Sequence, residues 1–585
     1  MIKSNRTIIN SVFLVSVFLV AILTICIVDV SYGQTKVDKL DKLVSAYAEY
    51  GKFNGSVLVA EKGNVIYKKA FGWADMEWSI PNQVDTKFRL GSITKQFTSM
   101  LIMQLVEQGK LKLDVPISTY LPDYPKKNGD VITLHHLLTH TSGTPNMTSF
   151  PSFFNIMRDA HTPVQLVNLF ADSTLQFKPG ERNEYSNSGY ILLGYIIEKI
   201  TGKSYEQVLQ TNIFTPLKMN NTGYDHNRPL LKNRARGYEK NGRLYVNANF
   251  IDMSVPYAAG SLYSTAEDLS LWDQALYGNQ LLRKENMDLL FTKHIPAGGG
   301  HYGYGWDIDE MRIGNTEERI KTVGHGGGVN GFNTQLTRIP SDKSFIVLLN
   351  NTGGAPLNQM TNAIAAILYD KTYDLPKKSV AYSLADRIDK VGIPASLEYY
   401  KGIKDSSGYY LNENEMNMTG YQFLEPGKVK EAAAIFKLNT QAFPKSWNVY
   451  DSYGEALMAQ GNKTEAIENY KKSVKLNPDN EGGIKILKAN GVKTDDLIKK
   501  VPIEYLKLLE GEYQNTDNKE WKITFSVAEG ILHGNDRGYR YKVLPVGGEG
   551  EFVNPDDGAS LVFDTKDKKA ITLLLFGSAK FKKVL

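Results

Sequence analysis

The sequence predicts a multidomain α/β chain: a mixed α/β unit, then a helical segment, then a small antiparallel β-domain. Three observations lead there. Period-two strand patterns stand at both ends of the first part with helical patterns between them, so the terminal strands are expected to share one sheet. After about Pro376 residues recur at a fixed offset of 34, the mark of stacked helical repeats. From about Pro502 the pattern returns to period two. At 585 residues the chain is also too long for one hydrophobic core.

The N-terminus carries Lys3 and Arg6, an apolar run from Ile8 to Val28, and then Ser31-Tyr32-Gly33. That order predicts a signal peptide over 1–33, cut before Gln34, and a chain exported to a periplasm or secreted. The run is long enough to span a bilayer, so an uncleaved anchor over 8–28 is the competing reading and the one route to a membrane. Cys26, the sole cysteine, lies inside this segment. Cleavage would remove it, which excludes disulfides, thiol catalysis and Cys-ligated metal. The net charge of +5 is small for this length and no Lys/Arg run is long, so nucleic acid is excluded as a partner.

Residues 34–375 form the first domain. Gly55 to Glu61 and Asn64 to Ala70 alternate around Lys62-Gly63 and predict a β-hairpin. Ile93, Phe97, Met100, Leu101 and Leu105 recur at helical spacing before Gly109. A second helix is predicted from Ser188 to Thr201, stopped by Gly202, and a third through Leu276 after the capping-box-like Thr265-Ala266-Glu267-Asp268. Phe332 to Ile339 and Phe345 to Asn350 predict strands around Pro340-Ser341-Asp342.

Residues 376–394 are expected to be a linker, 395–495 helical repeats, and 502–585 the β-domain. The pairs at offset 34 are Gly420/Gly454, Gly427/Gly461, Ala432/Ala466, Phe436/Tyr470, Lys437/Lys471 and Pro444/Pro478. Their order resembles tetratricopeptide repeats, which implies a protein or peptide partner for this segment, a structural spacer being the other reading.

Chemistry concentrates in the first domain. Ser92-Ile93-Thr94-Lys95 puts a hydroxyl and an amine one turn apart at a helix start, where Lys can act as base and the N-terminus favours an oxyanion. Tyr185-Ser186-Asn187 and His325-Gly326-Gly327 follow in order. Tyr-x-Asn occurs five times, but only Tyr185 follows a Lys178-Pro179-Gly180 turn and precedes a helix. These three motifs resemble those of the serine β-lactamase and penicillin-binding superfamily, with the Tyr form of class C β-lactamases, D-Ala-D-Ala carboxypeptidases and related esterases. Leu137–Gly143, Ala258–Thr265 and Tyr302–Trp306 add family-like stretches.

The resemblance implies a β-lactamase-like fold, an antiparallel sheet flanked by helices with an all-helical subdomain. It implies a serine hydrolase acting through an acyl-serine on cell-wall peptide, D-amino-acid amide, β-lactam or small ester, with no metal or organic cofactor. Ser92 would be the nucleophile, Lys95 and Tyr185 would share the proton work, and Asn187 would orient Lys95 and substrate. Backbone N–H groups of Ser92 and of the Gly327-Gly328 strand would bind the oxyanion. Neither Lys95 nor Tyr185 is a base at an ordinary pKa of about 10, so proximity is expected to lower one of them, with the choice left open. His325 replaces the permanent cation of many β-lactamases, which predicts weak recognition of a substrate carboxylate and a lean to peptides or esters. The alternative is a non-hydrolysing penicillin-binding sensor or protein-interaction scaffold.

Overall fold

The computed structural model describes residues 34–497, 500–546, 550–568 and 570–584; the leader over 1–33, with its anchor alternative, lies outside them. The chain divides into two compact units. One is the described part of Met1–Lys240 with Val246–Pro376; the other is Asn241–Tyr245 with Lys377–Leu585.

The first unit contains helices α1 (Lys36–Glu49), α2 (Thr94–Glu107), α3 (Asn187–Thr201), α4 (Ala266–Ala275) and α5 (Leu357–Leu368). Its main sheet uses β1 (Gly55–Glu61), β2 (Asn64–Phe71), β3 (Ile295–Ala297), β4 (Gly300–Tyr302), β5 (Asp307–Arg312), β6 (Arg319–Val329), β7 (Phe332–Ile339) and β8 (Ser344–Asn350). They pair antiparallel in the order β3-β4-β5-β6-β7-β8-β1-β2. The terminal strands do share this sheet, Gly55 standing opposite Asn350.

Helices cover both faces. Leu58, Ala60, Val347 and Leu349 point into a core with residues of α2, α3 and α4, while Val57, Val59, Ile346 and Leu348 meet α1 and α5 on the other side. A strand buried on both faces loses its alternation, which is why Phe345 to Leu349 reads as one apolar run. The same burial alters α2. Its spacing suggests one apolar face, yet every residue from Thr94 to Leu105 is buried. Strand β6 escapes the sequence reading because Gly324 and Gly326–Gly328 carry no alternating side chains.

In the second unit, the expected linker is mostly a helix. Val380–Val391 is capped by Ser379 and buries Val380, Ala381, Leu384, Ala385 and Ile388 at helical spacing, so 376–394 adds to the helical core. Helices Ile393–Ile403, Glu413–Leu424, Val429–Ala442, Trp447–Ala459, Lys463–Leu476 and Glu481–Ala489 follow. The β-domain closes into an antiparallel barrel of eight strands, because Gly511–Asn515 pairs with both Lys522–Ala528 and Ala579–Lys583. Tyr513, Phe525, Phe563 and Phe581 fill its core, which also takes Leu506 and Leu509 of the preceding helix. Among the described residues no helix is long and apolar enough to cross a membrane.

Candidate active site

Ser92 sits in a tight helical turn, Gly91–Ile93, that feeds directly into α2. Gly91 adopts φ 54° there, and its backbone runs so close to Gly328 that a Cβ would lie 2.7 Å from the Gly328 nitrogen. No residue with a side chain fits that approach without displacing the strand. Lys95, one turn on, is wholly buried.

Lys95 Nζ has three oxygen neighbours: Ser92 Oγ at 3.0 Å, Asn187 Oδ1 at 2.8 Å and the Ala259 carbonyl at 2.9 Å. Desolvation pushes its pKa well below the ordinary 10.5, with the Asp307 charge opposing. A neutral amine has two protons and one lone pair. The amide oxygen of Asn187 and the carbonyl of Ala259 can only accept, so in the neutral form both protons go to them and the lone pair faces the Ser92 hydroxyl.

Tyr185 precedes α3 and donates its hydroxyl proton to Ser92 Oγ at 2.8 Å. Its phenol is pushed up by desolvation, the Ser92 contact only partly opposing. Of the two candidate bases, then, Lys95 is the lowered one. The cause is burial of the amine rather than a tyrosinate beside an ammonium. Asn187 opens α3, and its amide nitrogen donates to Asn146 Oδ1 and Thr148 Oγ1, each at 3.4 Å, which turns its oxygen towards Lys95. Asn146 and Thr148 have no signature in the sequence, and although Ala259 lies in the family-like stretch Ala258–Thr265, nothing there singles out its carbonyl.

The glycine strand meets the nucleophile along one edge. The last partner of β6 on β5 is Gly324, opposite Asp307, so residues 325–328 pair only with β7. Val329 stands opposite Phe332 across a two-residue turn; such a turn closes on a hydrogen-bonded pair, and alternation then turns the Gly328 N–H outward, to the free edge beside Gly91. Gly327 packs on the Leu90 backbone, where a Cβ would meet the carbonyl oxygen at 1.9 Å.

His325 is buried, and both ring nitrogens are engaged: Nε2 lies 3.1 Å from the Tyr302 hydroxyl and Nδ1 2.6 Å from the Gly326 carbonyl. Desolvation holds its pKa below 6.5 against the opposing charge of Asp307, so the ring is neutral at pH 7. The structure therefore brings Ser92, Lys95, Tyr185, Asn187, Gly328 and His325 to one place, with His325 linked to Tyr302 rather than left open. Among the described residues no group of three or more His, Cys, Asp or Glu side chains could hold a metal ion.

Residues 40–369 match the family described as Beta-lactamase, and 447–480 match the tetratricopeptide repeat. The chain is 32% identical over 368 residues to penicillin-binding protein 4* of Bacillus subtilis (strain 168), covering 59% of this chain and 79% of that one. It is 33% identical over 322 residues to teichoic acid D-alanine hydrolase of Staphylococcus aureus, covering 54% and 74%. Among solved structures, D-amino acid amidase from Ochrobactrum anthropi SV3 with L-phenylalanine amide aligns with a TM-score of 0.51 at 26% identity, over 57% of this chain and 98% of that one.

Proposed function

This chain belongs to the β-lactamase family of serine hydrolases, and on that premise we propose that it is an exported acyl-serine hydrolase of D-aminoacyl esters or amides derived from the cell wall. Ser92 is the nucleophile. Lys95, through its lone pair, takes the Ser92 proton as Oγ attacks the substrate carbonyl. The N–H groups of Ser92 and Gly328 hold the oxyanion that forms, a type of contact whose loss costs ~10²–10³ in rate. Tyr185 gives its hydroxyl proton to the leaving alcohol or amine and takes in exchange the proton held by Lys95, so the leaving group departs, the acyl-serine remains, and both phenol and neutral amine are restored. Water then attacks the ester with the same base, and Ser92 recovers its proton.

The three contacts of Lys95 carry this reading, because they leave only Ser92 for its lone pair. Substrate class follows from His325. A neutral ring with both nitrogens engaged offers no permanent cation to a carboxylate, which disfavours classical β-lactams and carboxy-terminal peptides. Two similar proteins bear names that fit such a preference, a teichoic acid D-alanine hydrolase and a D-amino acid amidase. The tetratricopeptide repeats are assigned a peptide or protein partner.

The test is a substrate panel of p-nitrophenyl esters, D-alanyl amides, D-alanyl-D-alanine peptides and a chromogenic cephalosporin, run on wild type and Ser92→Ala. Esters and D-alanyl amides should turn over fastest, and Ser92→Ala should abolish all turnover. Activity surviving in Ser92→Ala would place the nucleophile elsewhere. One equivalent of acylation without turnover would make the protein a penicillin-binding sensor.

A further inference from the structure

Beyond the nucleophile's own contacts, two histidines and a tyrosine form a hydrogen-bond chain whose direction the geometry dictates. His140 Nδ1 accepts from the Ser186 backbone N–H at 3.2 Å. In a neutral ring the proton then sits on Nε2, which lies 3.2 Å from the Tyr302 hydroxyl. At the other end, the His325 Nδ1 contact at 2.6 Å is to the Gly326 carbonyl, a pure acceptor, so that proton sits on Nδ1. His325 Nε2 is therefore a lone pair, 3.1 Å from the same Tyr302 hydroxyl. Tyr302 has one proton to give. It accepts from His140 and donates to His325, and every donor in the chain finds an acceptor.

The three side chains are buried, which makes an unmatched contact costly. Desolvation lowers His140 and His325 and raises Tyr302, and the charged and titratable groups around them are Lys95, Asp307, Tyr185 and Tyr190. Lys95 disfavours charge on both rings whenever it is protonated, while Asp307 favours it on His325. His140 also packs against the Tyr185 ring, with centroids 4.3 Å apart and planes tilted by 38°, and takes φ 57°, a strained backbone for a residue with a side chain. A loop histidine is thus wired to both later motifs.

We propose that His140, Tyr302 and His325 are positioning residues: a one-directional strut running from Ser186, between Tyr185 and Asn187, to Gly326, two residues before Gly328. It holds the phenol and the oxyanion N–H at a set distance from each other on either side of Ser92. The kinetic part of this proposal rests on the acyl-serine reading above; the tautomeric part does not.

The first measurement is the ring ¹⁵N shifts of the full chain labelled with ¹⁵N-histidine, at pH 7. His140 should carry its proton on Nε2 and His325 on Nδ1, opposite tautomers in one protein. The same tautomer on both, or an imidazolium on either, overturns the proposal whether or not the protein is active. The second is kinetics of Tyr302→Phe, which removes both central contacts and keeps the ring. It should lower kcat by ~10–100-fold, the scale of a small misplacement of reacting groups, with KM nearly unchanged, and it should release the His325 tautomer. Should Tyr302→Phe fail to fold, His140→Asn keeps an acceptor for the Ser186 N–H and loses the reach to Tyr302. A His140→Asn or Tyr302→Phe enzyme with wild-type kcat would overturn the strut.

Discussion

Lys95 Nζ lies 3.0 Å from Ser92 Oγ with its remaining capacity spent on Asn187 and Ala259. Two results are expected. Lys95→Ala should lower kcat/KM by ~10²–10⁴, the usual worth of a positioned general base. In wild type, activity should rise with pH on an acid limb well below 10.5, because desolvation lowers this amine and only its neutral form has the lone pair. A limb that rises only near pH 10 would mean that Lys95 is an ordinary lysine.

Tyr185 donates a hydrogen bond to Ser92 and is not a base at neutral pH, since its phenol is pushed up. Tyr185→Phe keeps the ring on His140 and removes the hydroxyl. Steady-state kinetics should show kcat down by ~10²-fold or more, while the melting temperature stays close to wild type because the residue is 38% exposed and keeps its ring.

Adjacent glycines should respond in opposite ways. A Cβ on Gly327 would meet the Leu90 oxygen at 1.9 Å and Thr334 Oγ1 at 2.3 Å, whereas one on Gly328 meets nothing within 4 Å. Gly327→Ala should therefore destabilise the protein by ~1–3 kcal/mol or more and misplace the oxyanion edge. Gly328→Ala should fold normally. Thermal melts of the two variants decide it.

How much of this was readable beforehand depends on where each signal resides. Ser92, Lys95, Tyr185, Asn187 and His325 belong to short motifs whose residue types are required by the chemistry, so they stand out in one dimension. The Ala259 carbonyl cannot, since every residue has one and only the backbone path aims it. Tyr302 was visible as part of a Tyr-Gly-Tyr-Gly-Trp stretch, but its task depends on which tautomers His140 and His325 adopt, a tertiary matter. Barrel closure likewise depends on pairing Tyr513 with Lys583, 70 residues away. The helix at Val380–Val391 was masked by polar residues at its exposed positions, though Val380, Leu384 and Ile388 keep the helical interval.

Acid should weaken the first unit through its histidines. His135 is pushed down to about 4 by desolvation, with His294 and His136 adding to the effect, and its Nδ1 meets the Tyr304 hydroxyl at 2.8 Å. Between that value and 6.5 the unfolded chain binds a proton that the native ring does not. Stability therefore rises with pH across this window, levels off above 6.5, and is lost as pH falls towards 4, at up to ~1.4 kcal/mol per pH unit for one ring. Melting temperatures of wild type and His135→Gln from pH 4 to 8 should differ by one proton's slope inside the window and by none above it.

The repeats offer a test in which two opposing effects of similar size can be separated. Gly420 and Gly454 lie 34 residues apart in the middle of equivalent helices, and each packs on the aromatic of its own repeat, Phe436 or Tyr470. Replacing a mid-helix glycine by alanine gains ~1 kcal/mol from propensity. At Gly454 a Cβ would lie 3.1 Å from the Tyr470 ring, a crowding that a few tenths of an ångström relieves, so Gly454→Ala should be neutral or slightly stabilising. At Gly420 three Phe436 ring atoms would lie within 2.4–2.7 Å, and Phe436 is fully buried and has nowhere to go. The overpacking cost of ~1–3 kcal/mol then exceeds the propensity gain, and Gly420→Ala should destabilise the second unit. Urea unfolding followed by far-UV circular dichroism separates the two variants. If both shift the midpoint the same way, contact with the aromatic is not what holds these glycines in place.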